Sequence, residues 1–232
     1  MMYSWRVDGF DSDVLGFKVA KIVNLEPVQV KNLIRDLIKN KISYATIRVQ
    51  SNNFFLIHAL ESAGFILVDG LINLSLDLSS TEPKIKTAIR EVNKSDLAQL
   101  KKITSNLYSN TRITNDPRTR DFTNKYYMKW VENSVKGEAA DSVLVWNEKG
   151  EILGYVSLQK KGQIPLIGVA ESARGKGIAK ELLNASLAQF KKWSVKNVNI
   201  DTQINNIPAI RAYQSAGFKI VDSHFTFRWV NE

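Results

Sequence analysis

A stretch that combines glycine with positive charge follows an apolar run in the C-terminal half of the sequence. The run "LIGV" ends at Val169, and residues 174–177, "RGKG", precede a segment whose periodicity predicts a helix. Glycine lets a backbone approach an anion closely, and the unpaired N–H groups and dipole of a helix start attract negative charge. This order predicts a phosphate-binding helix N-terminus. A turn with a solvated basic edge is the alternative, and the glycine spacing fits neither a Walker-type loop nor a G-x-G-x-x-G fingerprint.

A second stretch, "NNIPAIRAYQSAGF", predicts a short helix that carries a tyrosine. Asn206 is a typical N-cap, Pro208 falls in the first turn, and Gly217 follows the helix as its terminator. Tyr213 comes two helical turns after Asn206, roughly 10.5 Å along the axis, so both side chains share a face. One elongated ligand can therefore contact both residues. The alternative is that Tyr213 is a half-buried core aromatic.

The tyrosine stands where two copies of an internal repeat differ. A shift of 153 positions superimposes residues 47–69 on 200–222, and twelve of these twenty-three positions are identical. Such a repeat is typical of one supersecondary unit used twice. The first copy has Leu60 in place of Tyr213, and residues 21–26, "KIVNLE", lack the glycines of "RGKGIA". We therefore expect the first copy to be a scaffold and the second copy to hold the site.

Hydrophobic periodicity and turn residues predict the elements that position these stretches. The first copy is predicted as a β-α-β-α-β unit, and the polar segment "DLSSTEPK" at 77–84 as a linker. We expect two domains, at residues 1–80 and 81–232. The second domain should contain two early helices and a hairpin before the strand that precedes residues 174–177. Predicted strands cover 16–23, 44–50, 65–76, 164–170 and 196–202, and predicted helices cover 28–39, 54–63, 123–136, 176–192 and 207–216.

The composition restricts the chemistry. The 232 residues include no cysteine and two histidines, which excludes thiolate chemistry and argues against a His-based triad or a zinc site. No apolar run reaches the roughly 18 residues of a membrane span, so we expect a cytoplasmic protein without a membrane segment. The net charge of +9 suits an anionic partner, but nucleic acid is disfavoured because no block of basic residues is present.

At the two stretches described first, the sequence resembles a known family. "VAESARGKGIA" is similar to the R-x-x-G-x-G/A acetyl-CoA signature of the GNAT N-acetyltransferases, and "NIPAIRAYQSAGF" resembles their N-x-x-A-x-x-x-Y-x-x-x-G-F helix. The resemblance covers residues 164–218. It implies an α/β (α+β) fold with a C-terminal GNAT domain, whose mixed, mostly antiparallel sheet is flanked by helices, and a smaller GNAT-like half-repeat domain before it.

The resemblance also implies that acetyl passes from acetyl-CoA directly to an amine, without a metal. Tyr213 would be the general acid for the leaving thiolate, and a backbone N–H near Ile167 or Val169 would stabilise the oxyanion. Asp69 is the candidate base; its counterpart Asp222 indicates the alternative that this aspartate caps a turn. The residues expected to bind the cofactor are Ile167, Gly168, Val169, Arg174, Gly175, Lys176, Gly177, Ile178, Ala179, Asn206 and Tyr213.

Further motifs indicate the amine. "FDSDVLGFKVAKI", "ALESAGFILVDG", "WVENSVKG" and "GYVSLQ" resemble GNAT enzymes that acetylate the 4-amino group of a nucleotide-linked deoxysugar for surface polysaccharides, so we expect a nucleotide amino sugar as acceptor. Alternatives are an amine of a protein, a peptide or another small molecule, or a non-catalytic acetyl-CoA-binding module. Exposed edge strands would allow a homodimer. The residues expected to bind substrate are Phe10, Asp11, Arg112, Tyr127, Trp130 and Asn133, although Tyr127 and Trp130 also fit a helix core.

Overall fold

The computed structural model of the protein describes residues 3–79, 88–105 and 107–231. The predicted boundary between residues 80 and 81 lies outside these ranges, as does most of the predicted linker. Within them, no helix has the length and apolar character that a membrane crossing requires.

The strands are β1 (Ser4–Val7), β2 (Val19–Asn24), β3 (Tyr44–Gln50), β4 (Ile66–Asp77), β5 (Ile89–Glu91), β6 (Ser142–Glu148), β7 (Glu151–Gln159), β8 (Gln163–Val169), β9 (Asn197–Gln203) and β10 (Lys219–Val230). The helices are α1 (Gly9–Leu15), α2 (Val30–Lys39), α3 (Phe54–Ser62), α4 (Leu97–Thr104), α5 (Arg112–Asn115), α6 (Thr123–Val135), α7 (Ile178–Lys192) and α8 (Ile207–Ser215).

The repeat identified in the sequence is visible in the helix caps. The side chain of Asn53 accepts the N–H of the third residue of α3, and that of Asn206 does the same for α8. A glycine in the left-handed region follows each helix, Gly64 with φ +84° and Gly217 with φ +95°. Residues with a Cβ rarely adopt this conformation. Both predicted caps of α8 are confirmed, and the first copy folds locally in the same way.

Two compact units make up the chain. Unit 1 consists of the chain up to Leu71, Asn110–Tyr126 and the chain from Asp222 onward, and unit 2 consists of Ile72–Ser109 and Tyr127–Val221. Each copy of the repeat thus contributes much of its last strand, β4 or β10, to the unit that is built mainly from the other copy. The compact units do not follow a single cut in the sequence, and the division expected near residue 80 stays a prediction.

In unit 1 the strand order is β1-β2-β3-β10, with β2 and β3 parallel and the other neighbours antiparallel. One face of this sheet packs on α2 and α3 in an apolar core. Each strand contributes alternate residues to that core, because successive side chains of a strand point to opposite faces. The core includes Ala20, Ile22, Leu33, Leu37, Ala45, Ile47, Val49, Leu56, Leu60, Phe227 and Trp229.

In unit 2 the strand order is β4-β9-β8-β7-β6-β5. The strands β8 and β9 are parallel, whereas the neighbouring pairs β5–β6, β6–β7 and β7–β8 are antiparallel. The helix α7 places an apolar stripe in the core of this unit. The prediction of a mixed, mostly antiparallel sheet flanked by helices is confirmed. The core of unit 2 includes Leu74, Val156, Leu158, Ile164, Leu182, Leu183, Phe190, Val198, Ile200, Tyr213 and Phe218.

A buried carboxylate joins the three chain segments of unit 1. Asp116 follows α5 and has an exposed fraction of 0%. It accepts a hydrogen bond of 2.7 Å from the Tyr44 hydroxyl of β3 and lies 3.2 Å from the Arg228 guanidinium of β10. Burial, followed by the bond to Asp116, raises the pKa of Tyr44, so this phenol remains a donor. Because a buried charge needs a partner, the three groups depend on one another.

Replacing this carboxylate should destabilise unit 1. In Asp116→Ala the Arg228 guanidinium loses its buried counter-charge and the Tyr44 hydroxyl loses its acceptor, so the free energy of unfolding should fall by about 3–5 kcal/mol. Urea unfolding followed by circular dichroism measures the change. The matched control is Asp121→Ala at an exposed position, which should alter the free energy by no more than about 0.5 kcal/mol. Equal effects of the two substitutions would contradict the role assigned to Asp116.

Candidate active site

The parallel strands β8 and β9 separate soon after they begin. Among the residues that the structure describes, their register ends with the pair Ile164 and Ile200, although β8 continues to Val169 and β9 to Gln203. Pro165 follows the last pair and has no N–H to donate. The backbone groups beyond it lie along a gap between the two strands. Buried backbone donors and acceptors need partners, so this gap is suited to a ligand with polar groups along its length.

β8 pairs with β7 through a β-bulge. Ser157 opposes Leu166, but Gln159 opposes Gln163, so two steps along β7 match three steps along β8. The extra residue of β8 falls at 164–165 and bends the strand there. The bulge therefore coincides with the point where β8 leaves β9, and it re-aims the residues that follow.

Beyond the bulge, two N–H groups of β8 point into the gap. The N–H of Ala170 donates to the C=O of Leu153 in β7 at 2.9 Å. Because alternate residues of a strand face the same neighbour, Gly168 also faces β7. Ile167 and Val169 consequently direct their N–H groups to the side of β9. A carbonyl oxygen held in the gap would be within reach of these two donors.

The loop after β8 leads into a helix that has no side-chain cap. Gly175 and Gly177 take left-handed φ values of +77° and +79°, and α7 begins directly after Gly177. As a glycine, this N-cap has no side chain to accept the first N–H groups of α7, which belong to Ile178 and Ala179. Residues 174–177 are exposed. An anion can therefore approach unpaired backbone donors and the positive end of the helix dipole.

A cleft of about 740 Å³ adjoins the loop within unit 2. Its walls come from α4, from the start of β7 and from residues 170–174. Lys102 and Arg174 bring positive charge to the cleft, while Glu151 and Glu171 bring negative charge. The exposed loop thus borders a concavity of a size typical for small-molecule sites.

Tyr213 lies on α8, as predicted, and is more deeply buried than a half-buried aromatic. Its exposed fraction is 5%, and its ring is in the core of unit 2, 6.3 Å from that of Phe218. Its hydroxyl makes no hydrogen bond to another of the described residues. Burial raises the pKa of Tyr213 above its ordinary value. The phenol therefore stays protonated at neutral pH and can act as a proton donor.

Asn206, which the sequence analysis placed with Tyr213 on one ligand-facing side, is engaged by the protein. Its side-chain oxygen caps α8, and its Nδ2 donates to the Thr202 hydroxyl at 3.0 Å. Both polar atoms of the amide therefore have partners within the fold. Its part in cofactor binding stays a prediction.

Two tyrosines that the sequence analysis did not single out lie in the same unit as Tyr213. The Tyr155 hydroxyl is 2.9 Å from Thr104 Oγ1 and 3.5 Å from the Tyr108 hydroxyl. Burial raises the pKa of Tyr155 and of Tyr108, and for Tyr108 the other phenols, Tyr213 among them, contribute further. These hydroxyls are therefore hydrogen-bonding groups and not bases. The residue of the sequence that could have drawn attention to these tyrosines is Gly168, because it is the cross-strand partner of Tyr155.

Gly168 leaves room for these tyrosines. A Cβ built on Gly168 would lie 2.5 Å from Leu107 Cδ2 and 2.9 Å from a ring carbon of Tyr155. Heavy atoms in proteins essentially never approach a Cβ so closely, so any larger residue would displace Leu107 and the Tyr155 ring. Gly168 is thus required by the packing, and its part in cofactor binding stays a prediction.

Comparison with known proteins identifies this arrangement. The family described as Acetyltransferase (GNAT) matches residues 106–218, which include the gap, the glycine loop, α7 and α8. The chain carries a GNAT acetyltransferase domain. It is accordingly an N-acetyltransferase that uses acetyl-CoA as its donor.

Individual proteins agree with the GNAT assignment. The chain is 25% identical to dTDP-fucosamine acetyltransferase of Escherichia coli O6:H1, over 75% of this chain and 75% of that protein. It is 29% identical to the spore coat polysaccharide biosynthesis protein SpsD of Bacillus subtilis, over 52% of this chain and 43% of that protein. The crystal structure of a GCN5-related N-acetyltransferase from Sphaerobacter thermophilus has the same fold, with a TM-score of 0.67 at 15% identity over 97% of this chain and 76% of that one.

The residues of the GNAT domain fit the donor. The uncapped start of α7 and the exposed loop at 174–177 suit a diphosphate. The gap beside Ile167 and Val169 suits an extended arm with amide groups, which can bond to a strand edge as another strand would. Within the described ranges, no group of three or more His, Cys, Asp or Glu side chains could hold a metal ion.

Three predicted substrate residues, Phe10, Asp11 and Arg112, come together in unit 1. The Arg112 guanidinium donates to the two Asp11 oxygens at 2.7 and 2.9 Å and to the Tyr126 hydroxyl at 2.8 Å. The Phe10 ring meets the Tyr126 ring edge-on, with centroids 5.0 Å apart. Asp11 is buried. Arg112 thus belongs to an internal ion pair, which competes with its predicted role in binding substrate.

The other three predicted substrate residues lie on α6 in unit 2. Tyr127 is buried and stacks on Tyr108, with centroids 4.0 Å apart, and on Trp130 at 6.1 Å. Its surroundings favour the helix-core interpretation. The side-chain oxygen of Asn133 is buried and has no hydrogen-bond partner among the described residues. Since such an atom costs free energy unless a donor reaches it, Asn133 is the member of this group that a ligand would satisfy.

Asp69, the predicted base, lies in β4 within unit 1. It is buried and has partners in the protein. Its counterpart Asp222 accepts the N–H of Ser223 and a hydrogen bond from Gln50 Nε2, and the backbone bond lowers the pKa of Asp222. Asp222 lies inside β10 and Asp69 inside β4, so neither aspartate caps a turn as the alternative interpretation proposed. The catalytic role of Asp69 stays a prediction.

The glycine loop of the GNAT domain should be sensitive to a side chain at its last position. Gly177→Ala places a methyl group where an anion would approach α7, so the Kd for acetyl-CoA should rise at least about tenfold. Isothermal titration calorimetry measures this Kd. Gly137→Ala is the matched control, because Gly137 has a similar φ of +82° and its Cβ would also meet open space. Both variants should lose about 1–2 kcal/mol of stability, and equal Kd values would contradict the phosphate-binding role.

Proposed function

We propose that the chain acetylates the amine of a nucleotide-linked amino sugar similar to dTDP-fucosamine, for the biosynthesis of a surface polysaccharide. The relative from Escherichia coli carries the name of such an acetyltransferase, and the name of the Bacillus relative refers to polysaccharide biosynthesis. The acetyl-transfer part rests on one observation, the gap between β8 and β9 beside the uncapped start of α7. The choice of acceptor rests on the similarity to the first relative over 75% of both chains.

In the proposed mechanism, backbone N–H groups at the start of α7 hold the diphosphate of the donor. Arg174 and Lys176, which are exposed beside these groups, add positive charge. The N–H groups of Ile167 and Val169 donate to the carbonyl oxygen as it gains negative charge. The loss of one such donor typically costs about 3 kcal/mol of transition-state stabilisation. The chain thus positions the thioester and stabilises its reacting oxygen.

Tyr213 supplies the proton that the sulfur takes up as it leaves. An ordinary thiol has a pKa of about 8.5 and an ordinary phenol a pKa of about 10, and burial raises that of Tyr213 further, so the proton is present on the phenol when the thiolate forms. The acceptor amine attacks the thioester directly, because the chain has no cysteine that could carry the acetyl group. The amine loses its proton to Asp69, directly or through water.

A thiol-release assay with a panel of acceptors tests the assignment of the acceptor. The wild-type chain and acetyl-CoA are combined with free amino sugars, nucleotide-linked amino sugars and peptides. We expect the highest kcat/KM with a nucleotide-linked 4-amino sugar, because the nucleotide contributes binding energy that the free sugar lacks. Turnover with peptides alone would overturn the sugar assignment while leaving acetyl transfer from acetyl-CoA in place.

Removing the Tyr213 hydroxyl should slow the chemical step. Tyr213→Phe keeps the ring that packs in the core, so kcat should fall at least about tenfold while the Kd for acetyl-CoA is unchanged. The control is Tyr3→Phe, which removes a phenol hydroxyl from unit 1 and should leave kcat unaltered. If the two variants turn over equally fast, Tyr213 is not the acid.

The pH profile provides a second measurement of the same role. A general acid is active while it is protonated, and burial raises the pKa of Tyr213 above its ordinary value. The wild-type kcat should therefore not decline between about pH 8 and pH 10, where a phenol with an ordinary pKa begins to ionise. A decline in this range that disappears in Tyr213→Phe would contradict the raised pKa.

A further inference from the structure

Three hydroxyl groups of unit 2 form a chain that ends on a backbone carbonyl. The Thr104 hydroxyl donates to the C=O of Leu100 at 2.7 Å. The Tyr155 hydroxyl lies 2.9 Å from Thr104 Oγ1, and the Tyr108 hydroxyl lies 3.5 Å from that of Tyr155. The hydroxyl groups of Thr104, Tyr155 and Tyr108 are called the hydroxyl chain below.

The direction of the hydroxyl chain follows from the number of protons. A hydroxyl group has one proton to donate and two lone pairs that accept. Thr104 gives its proton to Leu100, so the proton between Thr104 and Tyr155 belongs to Tyr155. The Tyr155 oxygen then has only lone pairs left, so a proton between it and Tyr108 belongs to Tyr108. The Tyr108 oxygen, at the end of the chain, is therefore left with lone pairs that accept.

The hydroxyl chain lies beside the part of β8 that carries the two oxyanion donors. Gly168 stands between these donors, and a Cβ built on it would lie 2.9 Å from a ring carbon of Tyr155. The Tyr155 ring therefore packs directly on the backbone of β8. Leu107, the chain neighbour of Tyr108, packs on the same glycine. The hydroxyl chain thus lies next to the place where the two N–H groups would hold the carbonyl oxygen of the thioester.

Tyr155 and Tyr213 are directed to different faces of the sheet in unit 2. Val156 packs in the same core as Tyr213. Because successive side chains of a strand point to opposite faces, Tyr155 points away from that core, towards Thr104 of α4. The tetrahedral carbon of the reaction holds the entering amine and the leaving thiolate at different corners. With Tyr213 assigned to the thiolate, the hydroxyl chain lies on the side that is open to the amine.

Tyr108 is the member of the hydroxyl chain that a ligand can reach. Thr104 and Tyr155 are buried, whereas Tyr108 is half-buried. The Tyr108 ring stacks on that of Tyr127, with centroids 4.0 Å apart, so its position is fixed before a ligand arrives. Burial, followed by the neighbouring phenols, raises the pKa of Tyr108, and Tyr213 is one of these neighbours. Tyr108 thus keeps its proton and lies close to the assigned acid.

We propose that Tyr108 is a further catalytic residue, whose hydroxyl oxygen accepts a hydrogen bond from the attacking amine. This inference rests on the acetyl transfer of the proposed function and not on its choice of sugar. The amine uses its lone pair to attack, so its N–H groups need acceptors in a site from which water is displaced. A hydroxyl that donated its proton to the amine would compete for that lone pair.

The hydroxyl chain prevents this competition because it directs the Tyr108 proton towards Tyr155. The distance of 3.5 Å between the two phenol oxygens is longer than the about 2.7 Å of an ordinary O–H···O bond. Catalytic hydrogen bonds are often long before the substrate binds and shorten in the complex. Thr104 and Tyr155 act through Tyr108 and are positioning residues.

Removing the Tyr108 oxygen tests the contact with the amine. Tyr108→Phe keeps the ring that stacks on Tyr127, so kcat/KM for the acceptor should fall about tenfold while the Kd for acetyl-CoA is unchanged. Thiol release measures turnover with dTDP-fucosamine, glucosamine and a lysine-containing peptide. The decrease should appear with each of these probes that the wild type acetylates, since the contact involves only the amine.

The control for this variant is Tyr3→Phe, which removes a phenol hydroxyl from unit 1 and should keep the wild-type kcat/KM. Isothermal titration calorimetry gives the Kd for acetyl-CoA and shows that each variant is folded. A Tyr108→Phe variant with the kcat/KM of the wild type would overturn the proposal.

Variants of Thr104 test the direction of the hydroxyl chain without a change at the substrate. In Thr104→Val the Tyr155 proton loses its acceptor and can turn to Tyr108, so kcat/KM should fall at least about threefold. Thr104→Ser keeps a hydroxyl and should keep the wild-type value. The matched control is Thr123→Val, which removes a hydroxyl that also donates to a backbone carbonyl, that of Arg120, and should have no effect.

A double variant separates the effect on Tyr108 from a general loss of structure. If Thr104 acts through Tyr108, adding Thr104→Val to Tyr108→Phe should lower kcat/KM no further, because substitutions within one network are not additive. Additive effects would contradict the hydroxyl chain, as would equal kcat/KM values for Thr104→Val and Thr104→Ser.

The failure of this inference can be told apart from the failure of the proposed function. If the wild type acetylates only the peptide and Tyr108→Phe is slower with it, the role of Tyr108 is supported and the sugar assignment is wrong. If the wild type and Tyr108→Phe acetylate dTDP-fucosamine equally fast, the role of Tyr108 is wrong and the proposed function stands.

Discussion

The backbone donors left unpaired where β8 parts from β9 are the feature on which the rest of the site depends. Pairing ends at Ile164, and the bulge at 164–165 turns the N–H groups of Ile167 and Val169 into the gap. The uncapped start of α7 after Gly177 adds a second set of donors. Such groups are stable only when water or a ligand satisfies them. One strand and the helix that follows it therefore form a continuous series of donors, suited to an amide-bearing arm and a diphosphate.

The two copies of the repeat separate packing from chemistry. Both keep an asparagine cap at the start of the short helix and a left-handed glycine after its end. Leu60 and Tyr213 occupy corresponding positions, and both are buried, so each side chain contributes to a core while only the second carries a hydroxyl. One supersecondary unit thus folds in the same local way with and without the hydroxyl.

The structural features that the sequence analysis predicted depend on interactions between near neighbours in the chain. The α8 helix was predicted at 207–216 and observed at Ile207–Ser215, because its asparagine cap, early proline and terminal glycine act within a few residues. The short elements β1 (Ser4–Val7) and α1 (Gly9–Leu15) were not predicted. β1 forms by pairing with β2, and α1 is held by the Asp8 cap, so a four-residue strand and a seven-residue helix carry too little periodicity of their own.

By itself, the sequence determined the glycine loop, the tyrosine-bearing helix and the repeat that relates it to a copy without the loop. These follow from residue order, since caps, turns and helix starts are local. Only the tertiary structure decided that Tyr213 is buried and that Arg112 is bound by Asp11. Burial and charge pairing depend on distances in space, and strand register sets those distances between residues that are far apart in the chain.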